Sequence, residues 1–64
     1  MTTMNITRTG EDDYHVEVKG RFVEEDVDGP KLLGMLCPHN PDCEGILASL
    51  DEKEVGYKME VAYH

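Results

Sequence analysis

Basic side chains are scarce in this sequence: 6 Lys plus Arg stand against 14 Asp plus Glu in 64 residues, a formal charge of −8. That shortage argues against direct binding to nucleic acid or to an anionic membrane, because phosphate recognition needs cationic side chains that displace counterions. Long apolar stretches are missing as well. No run approaches the roughly 18 residues needed to span a bilayer, and residues 1–20 hold no apolar core of a signal peptide, so a soluble, cytoplasmic protein is expected. Cysteine is limited to Cys37 and Cys43. Two are too few for the disulfide scaffold of a small secreted domain, and a reducing compartment would keep both as thiols or thiolates. The six glycines are scattered singly, which excludes a glycine-rich phosphate loop, and the Asp-x-Asp-x-Asp-Gly ladder of a calcium loop is absent. Repeats, linkers and low-complexity tracts are absent too, and 1–64 reads as a single small acidic domain. A chain of this length buries only about 60% of the surface its unfolded form exposes, leaving a thin core and little room for a deep catalytic pocket. A non-enzymatic protein is therefore expected.

What the sequence does have is alternation. Met4 and Ile6 alternate with polar residues over 3–9, and Thr9-Gly10-Glu11-Asp12-Asp13 supplies a turn. Over 14–23, Tyr14, Val16, Val18 and Phe22 fall on one side while His15, Glu17, Lys19 and Arg21 fall on the other. That is the period of a half-buried strand, so 3–9 and 14–23 are predicted to form a hairpin, with Gly20 at a bulge or a close backbone approach. The charged stretch Glu24-Glu25-Asp26-Val27-Asp28-Gly29-Pro30 reads as the end of that strand. Asp28 can then cap a short helix that has Pro30 in its first turn and Leu32, Leu33, Met35 and Leu36 as its apolar patch. A second helix over 42–52 starts at Pro41-Asp42 and places Ile46, Leu47 and Leu50 on one face. From 55 to 63 the alternation returns, with Val55, Tyr57, Met59, Val61 and Tyr63 inward and Gly56, Lys58, Glu60, Ala62 and His64 outward. The predicted fold is α+β, a small three-stranded antiparallel sheet covered on one face by one or two short helices, in the order ββ(α)αβ.

Two thiols and an imidazole lie within Cys37-Pro38-His39-Asn40-Pro41-Asp42-Cys43. Tetrahedral zinc takes four N or S ligands, and a loop stiffened by two prolines can present Cys37, His39 and Cys43 together. The fourth ligand would come from His15, His64, Asp42 or a second subunit. The Cys-Pro start and the Cys-x-Gly finish resemble half of a zinc knuckle, although the gap between the cysteines is five residues rather than the usual two to four. Two other readings of the same residues stand beside zinc: small buried thiols flanking a turn between helices, and a functional or intermolecular disulfide. A Cys–His nucleophile is disfavoured, because no oxyanion-stabilising turn is evident and the surrounding carboxylates would raise a thiol pKa.

The acids fall in three clusters, at 11–13, 24–28 and 51–54. Turn acids keep a small protein soluble, which is the plain structural account of them. As a binding face, the expected contact residues are Glu24, Glu25, Asp26, Asp28, Asp51, Glu52 and Glu54. The expected partner is a basic protein surface, including that of a nucleic-acid-binding complex, and the class suggested is an inhibitor or nucleic-acid mimic of the phage anti-restriction or anti-CRISPR kind. Two helices would gather 24–28 and 51–54 on one rim, whereas one helix would separate them. If the 55–63 strand lies at a sheet edge, homodimerisation through strand addition follows.

Overall fold

The computed structural model of the protein describes residues 2–63. β1 (Thr3–Gly10), β2 (Asp13–Val18) and β3 (Phe22–Val27) are followed by α1 (Gly29–Leu36) and α2 (Cys43–Asp51), and β4 (Lys58–Ala62) returns to the sheet. All strand pairings are antiparallel, in the order β3-β2-β1-β4. The α+β class stands, with four strands in place of the expected three and both helices formed.

The additional strand comes from a reversal that the alternation over 14–23 conceals. Val18 and Phe22 are partners on neighbouring strands. Between them the chain turns, with the Arg21 N–H donating to the Val18 carbonyl at 2.9 Å and Gly20 at φ 78°. These partners are four positions apart (22 − 18 = 4). Four is even, so the period-two pattern runs through the turn unbroken. Gly20 is thus a turn residue rather than a bulge, and its left-handed backbone is the reason for a glycine there.

The stretch 24–27, expected to end the 14–23 strand, belongs to β3. Tyr14 pairs with Val27 and Val16 with Glu24, so β3 carries one extra residue there, and Asp26 takes φ 55°. A charged, bulged edge strand is a poor template for another chain, which reconciles this acidic composition with a strand.

At the other edge, β4 starts later than expected. Val55 and Tyr57 do not face the core but are 63% and 38% exposed. Gly56 has φ 97°, and the Tyr57 N–H donates to the Glu54 carbonyl at 3.1 Å, which makes 54–57 a loop.

The core lies between one sheet face and the helices. Met4, Ile6, Tyr14, Val16, Val18 and Val27 come from the strands; Leu32 and Leu36 from α1; Cys43 and Leu50 from α2. Phe22, Met59, Val61 and Tyr63 pack around its margin. Asp28 is the N-cap of α1, its carboxylate accepting from the Lys31 N–H at 2.9 Å, with Pro30 in the first turn. No helix among the described residues is long and apolar enough to cross a membrane.

Cys37 and Cys43 are not thiols: they form a disulfide that links the end of α1 to the start of α2, with Cα atoms 4.9 Å apart. A sulfur bonded to sulfur is not a thiolate ligand, so the zinc arrangement expected of Cys37, His39 and Cys43 is replaced by a covalent staple. His39 stacks on Tyr63 instead, with ring centroids 4.2 Å apart. Of the other expected ligands, His15 sits on the far sheet face beside Glu25 at 3.6 Å, Asp42 precedes α2, and His64 lies outside the described residues. Among the described residues no group of three or more His, Cys, Asp or Glu is placed to hold a metal ion.

Candidate functional site

Chain direction sorts the charges. β1 runs toward the 11–12 turn, β3 finishes at that same end, α1 starts there, α2 ends there and β4 begins there. One end of the molecule therefore receives the 11–13 cluster, Asp28 and the 51–54 cluster. The opposite end carries the disulfide and the ring group of His39, Tyr63 and Phe22, with the Arg21 guanidinium 5.8 Å from the Tyr63 centroid.

Two side chains hold the acidic end together. Asp12, at φ 52° in its turn, reaches across so that its Oδ1 accepts from the Gly29 N–H at 2.9 Å. With Asp28 on the Lys31 N–H, two carboxylates thus satisfy orphan donors at the start of α1, where the helix dipole favours negative charge. A Cβ on residue 29 would lie 2.8 Å from Asp12 Oδ1, so any larger residue there would push this carboxylate from its place. Arg8, near the end of β1, donates through its guanidinium to the carbonyls of Gly10 at 3.2 Å, of Asp51 at 3.0 Å and of Lys53. One cation thereby fixes the end of α2 and the loop after it onto the sheet.

Between the helices a groove of about 530 Å³ runs from this end along α2 toward its first turn. Pro30 and Leu33 line one wall. Glu44, Leu47, Ala48 and Asp51 line the other, spaced at i, i+3, i+4 and i+7 along one stripe of α2, while Asp12 and Tyr14 close it from the sheet. The lining is an apolar floor bounded by three carboxylates. Burial, followed by the Asp51 carboxylate, pushes the Tyr14 phenol above its ordinary value of 10.0; the Arg8 guanidinium opposes this and Asp12 adds to it.

The expected contact residues divide accordingly. Asp28, Asp51, Glu52 and Glu54 do gather at one end, as the two-helix topology requires. Glu24 and Glu25 lie further down the β3 edge, where Glu24 pairs with Lys31 at 3.3 Å and Glu25 with His15, and Asp26 occupies the bulge. Asp12, Glu44 and Tyr14 were not among the expected contacts. For Glu44 a sequence signal existed, the acid-apolar-apolar-acid stripe 44-47-48-51. For Asp12 and Tyr14 the placement comes from tertiary contacts alone.

No protein-family model, curated protein or solved structure matches the chain.

Proposed function

We propose that this protein is a non-enzymatic binding protein, an inhibitor or regulator whose acidic end docks a basic surface on another protein. A nucleic-acid-binding complex is a natural target, since its phosphate-binding groove presents clustered Lys and Arg side chains. The observation that supports this reading is the placement of Asp12, Glu44 and Asp51 along an apolar-floored groove, with Glu52 and Glu54 on the loop that follows Asp51. Lys and Arg side chains are apolar stems with a charged head, so the floor suits the stem and the carboxylates suit the head. The site of action proposed is the cytoplasm, where the reducing environment would open the Cys37–Cys43 disulfide and leave the hydrophobic core to hold the helices.

The test separates the place of the charge from its amount. Asp51, Glu52 and Glu54 are reversed to Lys in one variant; Glu17, Glu24 and Glu25, away from the groove, are reversed in a second of equal net charge. Each is used to capture partners from lysate at low and high salt. The first variant is expected to lose capture that the second retains, and equal loss in both would reduce the effect to net charge.

A further inference from the structure

We propose that a second copy of this chain adds to the free edge of β4, Lys58 pairing with the partner's Glu60 and Glu60 with the partner's Lys58 about a twofold axis at Met59. The two sheets would become one of eight strands, with both helical layers on the same face.

Hydrogen-bond parity identifies the groups on offer. The Arg8 N–H donates to the Tyr57 carbonyl at 2.9 Å and the Tyr63 N–H to the Thr2 carbonyl at 3.1 Å. Between those points the β1–β4 register runs without a break, from Thr7 opposite Lys58 to Thr3 opposite Ala62. Odd-numbered residues of β4 therefore exchange hydrogen bonds with β1, and Lys58, Glu60 and Ala62 turn their backbone N–H and C=O groups away from the sheet. The Ala62 carbonyl is already taken, accepting from the Asn40 side chain at 3.1 Å. Lys58 and Glu60, both exposed, are left as a short open edge.

Those two residues select the register. In antiparallel pairing of like strands, Lys58 set against the partner's Glu60 makes two hydrogen-bonded pairs, each with opposite charges directly across. Shifting by one pair sets Glu60 against the partner's Glu60 and directs Lys58 to the partner's Ala62, whose carbonyl is occupied. Like charge at Glu60 and competition from Asn40 for the Ala62 carbonyl thus weigh against the same alternative. The β3 edge offers no equivalent, because the bulge at Asp26 and the acids Glu24 and Glu25 interrupt it. Within a single chain, Lys58 faces Thr7 and Glu60 faces Asn5. Changing either charge therefore leaves the monomer's own pairs neutral.

The contact is small and polar, so a weak dimer is expected, to be read by sedimentation equilibrium up to about 1 mM. Lys58→Glu places like charges across both pairs and should weaken dimerisation about tenfold. The double variant K58E/E60K restores opposite charges and should recover the parent affinity to within about threefold. In the parent, amide exchange at Lys58 and Glu60 should slow as concentration rises, while Met59 and Val61 stay protected throughout. Circular dichroism checks that each variant folds. A chain that stays monomeric at the highest concentration overturns the proposal. So does a dimer indifferent to Lys58→Glu or unrestored by the double swap, or one lost instead on replacing the exposed Tyr57 with Ser.

Discussion

Asp12 shows how much one side chain can organise in a chain of this size. It accepts a left-handed backbone that Asp tolerates better than most residues, and its carboxylate ties the β1–β2 turn to the first amide of α1. Asp12→Ala should cost about 1 kcal/mol, the usual value of a lost helix cap. Gly29→Ala should destabilise by driving a Cβ into the same carboxylate. Because both changes act on one contact, the double variant should lose less stability than the two singles combined, and urea melts of all four proteins test this. Strict additivity would place the two effects elsewhere.

Tyr14 links stability to pH. Its folded-state pKa is raised by burial and by the Asp51 and Asp12 carboxylates, against Arg8. The unfolded chain releases the phenolic proton first, so the native state binds more protons as the solution becomes alkaline. The associated stability is fully present below about pH 10 and is lost as pH rises through the folded value. Urea melts between about pH 8 and pH 11 should show a steeper alkaline loss in the parent than in Tyr14→Phe. Parallel curves would contradict the assignment.

Among the elements, the α1–α2 connection carries the covalent link. The disulfide closes a loop with a sequence separation of 6. A loop that short restricts the unfolded chain only modestly, and by the chain-entropy relation its loss should cost about 2 kcal/mol. The core residues other than Cys43 lie outside the bond. Reduction is therefore expected to lower the urea midpoint while the reduced chain still folds cooperatively, which near- and far-ultraviolet circular dichroism can follow. Loss of tertiary signal on reduction alone would mean that the staple, and not the core, holds the helices. The strands were legible to different degrees. The faces of β2 were right residue by residue, with Tyr14, Val16 and Val18 buried. Its C-terminal boundary was not, because a turn that sets partners an even number of positions apart leaves no mark on an alternating pattern.

For the whole molecule the quantity that matters is the placement of charge. Seven of the 14 acids, Glu11, Asp12, Asp13, Asp28, Asp51, Glu52 and Glu54, gather where the β1–β2 turn, the start of α1 and the end of α2 converge, so the proposed capture should be salt-sensitive and the sensitivity should reside in Asp51, Glu52 and Glu54. The end-to-end contrast, acids at one pole and the disulfide and aromatic rings at the other, follows from having two helices between β3 and β4. A single crossover would have reversed β4 and dispersed the acids.

The sequence by itself determined the α+β class, the inward faces of β1 and β2, the Asp28 cap of α1 and the clustering of the acids along the chain, because these rest on periodicity and on side chains acting within a few positions. Tertiary structure alone decided the rest. The choice between thiols, zinc and a disulfide at Cys37 and Cys43 depends on how α1 and α2 meet, and the reach of Asp12 to Gly29, the clamp made by Arg8 and the exposed edge at Lys58 and Glu60 depend on which distant segments become neighbours. Local pattern does not encode that choice, since one alternating stretch suits an edge, a centre or a hairpin equally well until the other strands have taken their places.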